Sequence, residues 1–430
     1  MEELANKKTY RSYKFFWTGQ LFSLLGSTVV LFVILFWIAD VYRDPMITAL
    51  ASFLYIIVMT ICMPIAGVVA DKVNRKTMIV VVDSLQAYAT IILMIIFYFG
   101  AANIWMMYFF LSLRSMFQAF HLPVVNAIIP TMVPKDKLSR INGINFLFTG
   151  VVQFIAPFIG AVLILIFKLK LYMIFWVDVI TFFIALIPLL LIKIPSVIKV
   201  NAIEEKVEKG SFLKEFRLGL KTLRYIPGLV LMIVLSSLLN FLIRPIDSQM
   251  NVFILEVHGG TAGHVALAQM IFTGGMIAGA LFTSIKKNWK NKIRVIFIGI
   301  VLALIGYMTI GIAPPGNYYI IGIGGVLLGF NLPIINSLYQ TFIQTAIPVD
   351  KLGRVTSIDH TFSMAISPAG SLLSGPLALV LGIPALFFFS GFIGVICTIG
   401  FWTFTGIRKV DFDSKSKIEE INGKLENISI

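Results

Sequence analysis

Apolar residues run along this chain in long blocks, and short polar connections separate one block from the next. About twelve blocks are present, each on the order of 20 residues, which is the length a helix needs to cross a bilayer core. They run from Phe15 to Ile38, Ile47 to Val69, Met78 to Phe99, Trp105 to Ile128, Ile144 to Phe167 and Leu171 to Ile192. After a polar stretch from Lys193 to Arg224 come Leu229 to Met250, Val265 to Ile285, Val295 to Ala313, Tyr318 to Ile343, Val355 to Leu381 and Pro384 to Phe404. The pattern predicts an all-α integral membrane protein with twelve transmembrane helices in two six-helix bundles. The bundles are expected at residues 1–192 and 226–405, with a linker at 193–225 and a cytoplasmic tail at 406–430. Within the linker, Phe212, Phe216, Leu220 and Leu223 recur at helical spacing between basic residues. That predicts an amphipathic helix lying at the membrane edge, the alternative being a dedicated partner-binding helix.

Composition supports this reading. Of 430 residues, 58% are hydrophobic and 13% charged, far too apolar for a soluble domain of average composition. Lys7, Lys8, Arg11 and Lys14 precede the first block as they would a signal peptide. The apolar length and the lack of a small-residue cleavage site argue for a retained first span. With a cytoplasmic N-terminus, even-numbered loops face inside, and they carry Lys72, Arg75, Lys76, Lys135, Lys137, Arg140, Lys286, Lys287, Lys290, Lys292, Lys351 and Arg354. Outside loops carry only Arg43, Lys168 and Lys170. The positive-inside rule then places both termini in the cytoplasm of a multi-pass cell-membrane protein. The same asymmetry accounts for most of the formal +14 charge, so no nucleic-acid partner is expected. Cys62 and Cys397 fall inside apolar blocks far apart in sequence, without disulfide or metal-ligand spacing.

The two halves resemble each other. FHLPVVNA at Phe120 to Ala127 matches FNLPIINS at Phe330 to Ser337, and VPKDKLSRINGIN at Val133 to Asn145 matches IPVDKLGRVTSID at Ile347 to Asp359. Duplication over half a chain is what two bundles related by an axis along the membrane normal produce. Between the second and third blocks lies GVVADKVNRK, from Gly67 to Lys76. Gly67 and Ala70 would let helices approach closely, Asp71 can sit at the positive end of a neighbouring helix, and Arg75 can reach a carboxylate. The spacing resembles the loop motif G-x-x-x-D-[RK]-x-[GN]-R-[RK] of the major facilitator superfamily, with Gly67, Asp71, Lys72, Asn74, Arg75 and Lys76 matching. The resemblance implies a secondary transporter whose central cavity is lined mainly by the first, fourth, seventh and tenth spans. It also implies moving contacts in the second, fifth, eighth and eleventh.

Candidate chemistry lies at polar positions inside the blocks. Arg114 falls near mid-membrane in the fourth, where a charge costs roughly 2.5 to 3.5 kcal/mol on insertion scales. Gln118 and His121 follow at i+4 and i+7, on the same helix face. The expectation is that Arg114 takes part in coupling, the alternative being a buried structural pair. In the repeat, Gly324 stands at the Arg114 position. Gln20, within GQLFSLLGS at Gly19 to Ser27, joins the cavity set. Asn142, Asn145, Thr149 and Gln153 form a stripe on the fifth span, and Asp359, Ser363 and Ser367 are the repeat equivalents of the last three. Helix adhesion and substrate contact are both open for them. Asn240, Arg244 and Asp247 share a face on the seventh span, with Pro245 between the two charges. An Arg244 to Asp247 pair at a kinked outer gate is one reading, two interfacial charges the other. Asp83 and Asp178 lie in spans that are peripheral in this superfamily, so anchoring is preferred to proton carriage. GIGGVLLG at Gly322 to Gly329 and GGMIAG at Gly274 to Gly279 lack a P-loop lysine and read as close helix packing.

The opening GQLFSLLGS, the fourth-span LRSMFQAF and FHLPVVNAIIPTMVP, and APFIGAVL at Ala156 to Leu163 resemble the drug and proton antiporter group of this superfamily. That group includes macrolide efflux proteins and the enterobactin exporter. Ala156 and Ala161 replace glycines of the fifth-span antiporter motif, leaving Pro157 and Gly160 as its matching interface residues. The resemblance implies export of an amphipathic small molecule (drug, macrolide or siderophore-like) against inward proton flow, by a monomer in contact with lipid and without a cofactor. An importer or lysolipid flippase is the near alternative and an intramembrane enzyme the distant one. No HExxH pair, G-x-S-x-G elbow or ATPase motif is present, so no enzyme is expected.

Overall fold

A computed structural model describes residues 7–134, 137–168, 170–192, 194, 226, 228–286, 289–347 and 349–409. The linker helix expected at residues 211–223 and the tail from 410 onward lie outside the described residues. So do the side chains of Ala70, Asp71 and Lys72, whose backbone is helical.

Every expected span is helical. They are α1 (Lys7–Tyr42), α2 (Pro45–Lys72), α3 (Arg75–Tyr98), α4 (Ile104–Met132), α5 (Leu138–Phe167) and the pair α6 (Leu171–Ile174) and α7 (Trp176–Leu191). Then follow α8 (Leu229–Val252), α9 (Ala262–Ile285), α10 (Lys292–Gly311), α11 (Tyr318–Ala346), α12 (Val349–Ala365), α13 (Ser367–Leu381) and α14 (Ile383–Phe404). Among the described residues, 11 helical segments are long and apolar enough to cross a membrane. α4, with 29 residues, is outside that set and is the helix that carries Arg114, Gln118 and His121. Leu165, Ile285, Val380 and Phe404 stand exposed, an arrangement unfavourable in water and natural against lipid.

Helix ends follow local sequence. Asp44 Oδ1 accepts from Met46 N at 2.7 Å with Pro45 at the first helical position, and Asn103 Oδ1 accepts from Met106 N at 3.1 Å. Three elements depart from the expected boundaries. α1 begins at Lys7 instead of Phe15, because its amphipathic first turns find partners: Thr9 Oγ1 donates to Met132 O at 3.1 Å, and buried Tyr13 bonds Asn145. The eleventh span breaks at Ile366, where Pro368 can start a helix but not continue one. Beyond α8, Phe253–Val257 forms a π-helical turn, a form that often occurs at functional positions.

The helices form two compact units. One comprises residues 1–205 with 254–270; the other comprises 206–253 with 271–430. In the first, α1 packs against α7 and α5, α2 against α4, and α3 against α4 and α7. Gly26 makes the α1–α7 approach possible: a Cβ there would land on Thr181 Oγ1 and lie 3.0 Å from Asp178 Cα. In the second unit α10 packs against α11 and α14, and α8 against α13, α14 and α12. Here a Cβ at Gly324 would lie 2.5 Å from Gly306 O, so the position that matches Arg114 in the repeat is a point of backbone contact.

A polar pocket between α1, α3, α4 and α5

Three helices of the first unit carry polar residues at helical repeats. α4 has Arg114, Gln118 and His121; α3 has Asp83, Gln86 and Thr90; α1 has Gln20 and Ser27. Two turns, about 10 Å of rise, separate Arg114 from His121, Thr90 from Asp83 and Ser27 from Gln20. The three faces meet as two layers.

In one layer Arg114 Nη1 donates to Asp178 Oδ2 at 2.9 Å and to Thr90 Oγ1 at 2.6 Å, and Nη2 donates to Ser27 O at 3.3 Å. Thr90 Oγ1 donates to Asp178 Oδ2 at 2.6 Å, Ser27 Oγ to Asp178 Oδ1 at 2.9 Å, and Gln86 Nε2 to Ser27 Oγ at 2.6 Å. Both charged side chains are 4% exposed. A buried pair must recover the desolvation of two ions, and it does so through such extra hydrogen bonds. Arg114 therefore sits in a closed network drawn from α1, α3, α4 and α7.

In the other layer His121 Nε2 lies 2.8 Å from Gln20 Oε1 and 3.4 Å from Asp83 Oδ1. Gln20 Nε2 makes a long contact of 3.5 Å to Asp83 Oδ2. Gln20 and Asp83 are buried, whereas His121 is 18% exposed. The ring borders a cavity of about 350 Å³ lined by Trp17, Gln20, Ser27, Tyr55, Gln86, Arg114, Gln118, His121, Asn145, Thr149 and Gln153, among others. Polar side chains interleaved with apolar ones such as Leu24, Leu31 and Val125 suit an amphipathic ligand.

The remaining expected residues fall into place separately. Asn145 Nδ2 donates to Tyr13 OH at 2.9 Å, while Thr149 and Gln153 are exposed along the cavity. Pro157 is buried within α5, and Gly160 admits the Phe32 ring of α1, whose Cδ1 a Cβ would approach to 2.5 Å. In the second unit Arg244 Nη1 donates to Asp247 Oδ2 at 3.0 Å, and Asn240 Nδ2 to Ser236 O at 2.9 Å. Buried Asp359 accepts from Tyr339 OH at 2.6 Å, and Ser363 is buried one turn along. These line a second cavity of about 440 Å³ inside that unit.

In the 67–76 segment, a Cβ on Gly67 would meet no heavy atom of the described residues within 4 Å. Asn74 caps α3, its Oδ1 accepting from Lys76 N at 3.0 Å and Thr77 N at 3.3 Å. Lys76 Nζ donates to Leu190 O at 2.9 Å and Ile192 O at 2.7 Å, the unsatisfied carbonyls at the end of α7.

Sequence reasoning missed Asp178 as the partner of Arg114 and Asp83 as the neighbour of His121. The available signal was the i, i+3, i+7 repeat of Asp83, Gln86 and Thr90, which marks a polar face on an otherwise apolar helix.

Residues 16–369 match the sequence profile of the Major Facilitator Superfamily. The chain belongs to that superfamily. Macrolide efflux protein A of Streptococcus pyogenes is 26% identical over 397 residues, covering 92% of this chain and 96% of that protein. The multidrug efflux pump Tap of Mycolicibacterium fortuitum is 23% identical over 351 residues, covering 80% and 83%. Among solved structures, a bacterial homologue of the human lysosomal transporter Spinster has a TM-score of 0.61 at 15% identity, covering 98% of this chain and 99% of that one. This major facilitator chain is thus a multi-pass membrane transporter of a small molecule, and not an enzyme.

Proposed function

We propose that this major facilitator protein exports amphipathic organic compounds of drug, macrolide or siderophore-like character by proton antiport with alternating access. The observation that carries the reading is the polar pocket of the first unit, where a His121–Asp83 contact borders a cavity lined by both polar and apolar side chains. Macrolide and multidrug efflux relatives support the substrate class. Membrane potential supplies about 2.3 kcal/mol per charge per 100 mV, enough to concentrate a substrate manyfold. The protein resides in the cell membrane as a monomer in lipid, with both termini cytoplasmic, bundles at 1–192 and 226–405, and a cytoplasmic linker and tail. Arg114 enters as the fixed counter-charge that holds Asp178; Gln20, Gln118 and His121 line the substrate side, with Asn240, Arg244 and Asp247 as their counterparts in the second unit. Gly67, Asp71, Lys72, Asn74, Arg75 and Lys76 stabilise one conformation of the transport cycle. Asn145, Thr149, Gln153, Pro157, Gly160, Asp359 and Ser363 serve helix interfaces.

The test is uptake of erythromycin, a lipophilic cation and a catechol siderophore into proteoliposomes, with and without an imposed pH gradient. Accumulation that requires the gradient supports antiport. Movement of lysolipid alone, or uptake running with the proton gradient, would replace this reading by the flippase or the importer.

A further inference from the structure

Resting on the antiport reading, we infer that the coupled proton is carried by the His121–Asp83 pair, on the His121 ring, while the Arg114–Asp178 pair stays charged throughout. The two layers differ in what can titrate. A guanidinium keeps its proton at any physiological pH, and Asp178 is saturated by Arg114, Thr90 and Ser27. That layer has no group free to exchange a proton.

The His121 layer has one. Nε2 faces two acceptors, Gln20 Oε1 and Asp83 Oδ1, so it carries hydrogen in both states of the ring. The proton that comes and goes must therefore use Nδ1. That atom is buried and has no hydrogen-bond partner among the described residues. Its ring forms part of the cavity wall. Uptake adds one proton to the Nδ1 lone pair and converts neutral imidazole to imidazolium. The Asp83 carboxyl lies 3.4 Å from Nε2, where it pairs with the charged ring, and no other bond is made or broken.

The surroundings contain few competitors. α3 contributes Asp83, α4 itself contributes Arg114 two turns away, α7 contributes Asp178 bound to Arg114, and α2 contributes Tyr55. α1 contributes Gln20 and Tyr13, the latter bonded to Asn145 of α5. Gln20 also matters to the device. Its amide orients the ring through Nε2, leaving Nδ1 as the exchanging nitrogen.

Two measurements on the full-length protein decide this. The first needs no substrate: ring-nitrogen NMR on protein labelled at its four histidines, with His121→Gln identifying the signal. As the pH is lowered across the physiological range the His121 ring is expected to gain a second proton, and Asp83→Asn to change the pH at which it does so. A ring that keeps a bare Nδ1 across this range, or ignores Asp83→Asn, overturns the inference. The second compares erythromycin exchange, which needs no gradient, with accumulation driven by a pH gradient. In His121→Gln and Asp83→Asn the ratio of accumulation to exchange falls about tenfold or more, within the usual span of coupling energies. An unchanged ratio overturns the inference. Wild-type protein that moves no erythromycin would count against the macrolide reading instead, and the ring titration still decides the proton site.

Discussion

Arg114 of α4 and Asp178 of α7 lie 2.9 Å apart with 4% of each side chain exposed, 64 residues from each other in sequence. Thr90 and Ser27 bring α3 and α1 into the same network. A charge that would be costly alone in a membrane is here the point where four helices are tied together, which makes Arg114 an anchor first.

That assignment predicts an asymmetry between single and double variants. Arg114→Ala leaves a buried carboxylate without its cation, and breaking such a pair costs about 3–5 kcal/mol. Folded yield in fluorescence-detected size-exclusion should collapse. Arg114→Leu combined with Asp178→Leu removes both charges and should recover much of the yield. Equal losses in the single and double variants would show that the pair does not act as a unit.

Gly26 offers a test of the α1–α7 contact that leaves the charges alone. The added methyl of Gly26→Ala falls on Thr181 Oγ1, and overpacking of this kind costs about 1–3 kcal/mol. Thr181→Ala vacates that space but not Asp178 Cα, at 3.0 Å from the new Cβ. The double variant should therefore regain part of the lost melting temperature. A Gly26→Ala protein as stable as wild type would mean that the helices lie farther apart than this geometry.

Much of the fold was legible because bilayer thickness sets one length for every span and the hydrophobic blocks obey it. The shared face of Arg114, Gln118 and His121 followed from helical period alone. Their partners did not, since Asp178 and Asp83 are fixed by which helices pack together, and local pattern is silent about neighbours 64 or 38 residues away. A glycine in a helix marks a packing contact only where a neighbour's distance makes it one, as at Gly26 and Gly324, and sequence carries no such distance. The break at Ile366 was visible in Pro368 but lost inside an apolar block that looked continuous.

Orientation is predicted from loop charge. Single cysteines near Lys137, Lys209 and Lys287 should react only with reagent on the cytoplasmic side, and those near Asp44 and Gly259 only from outside. Labelling of the Lys209 and Gly259 positions from the same side would refute the proposed topology.

Lys76 gives the most direct handle on the 67–76 segment. Its ammonium donates to Leu190 O and Ile192 O, where α7 ends with unpaired carbonyls. A cation in this place contributes about 0.3–2 kcal/mol, too little to decide whether the protein folds but enough to shift a two-state equilibrium severalfold. Lys76→Met keeps most of the aliphatic stem and removes the charge. It should leave expression near wild type, slow erythromycin exchange, and change the accessibility of single cysteines in the cavity wall to a water-soluble reagent. Asp71→Asn and Arg75→Ala should move the same accessibility readout if the segment acts as one device. Should all three variants transport at the wild-type rate with unaltered accessibility, the segment would serve topology and helix capping alone.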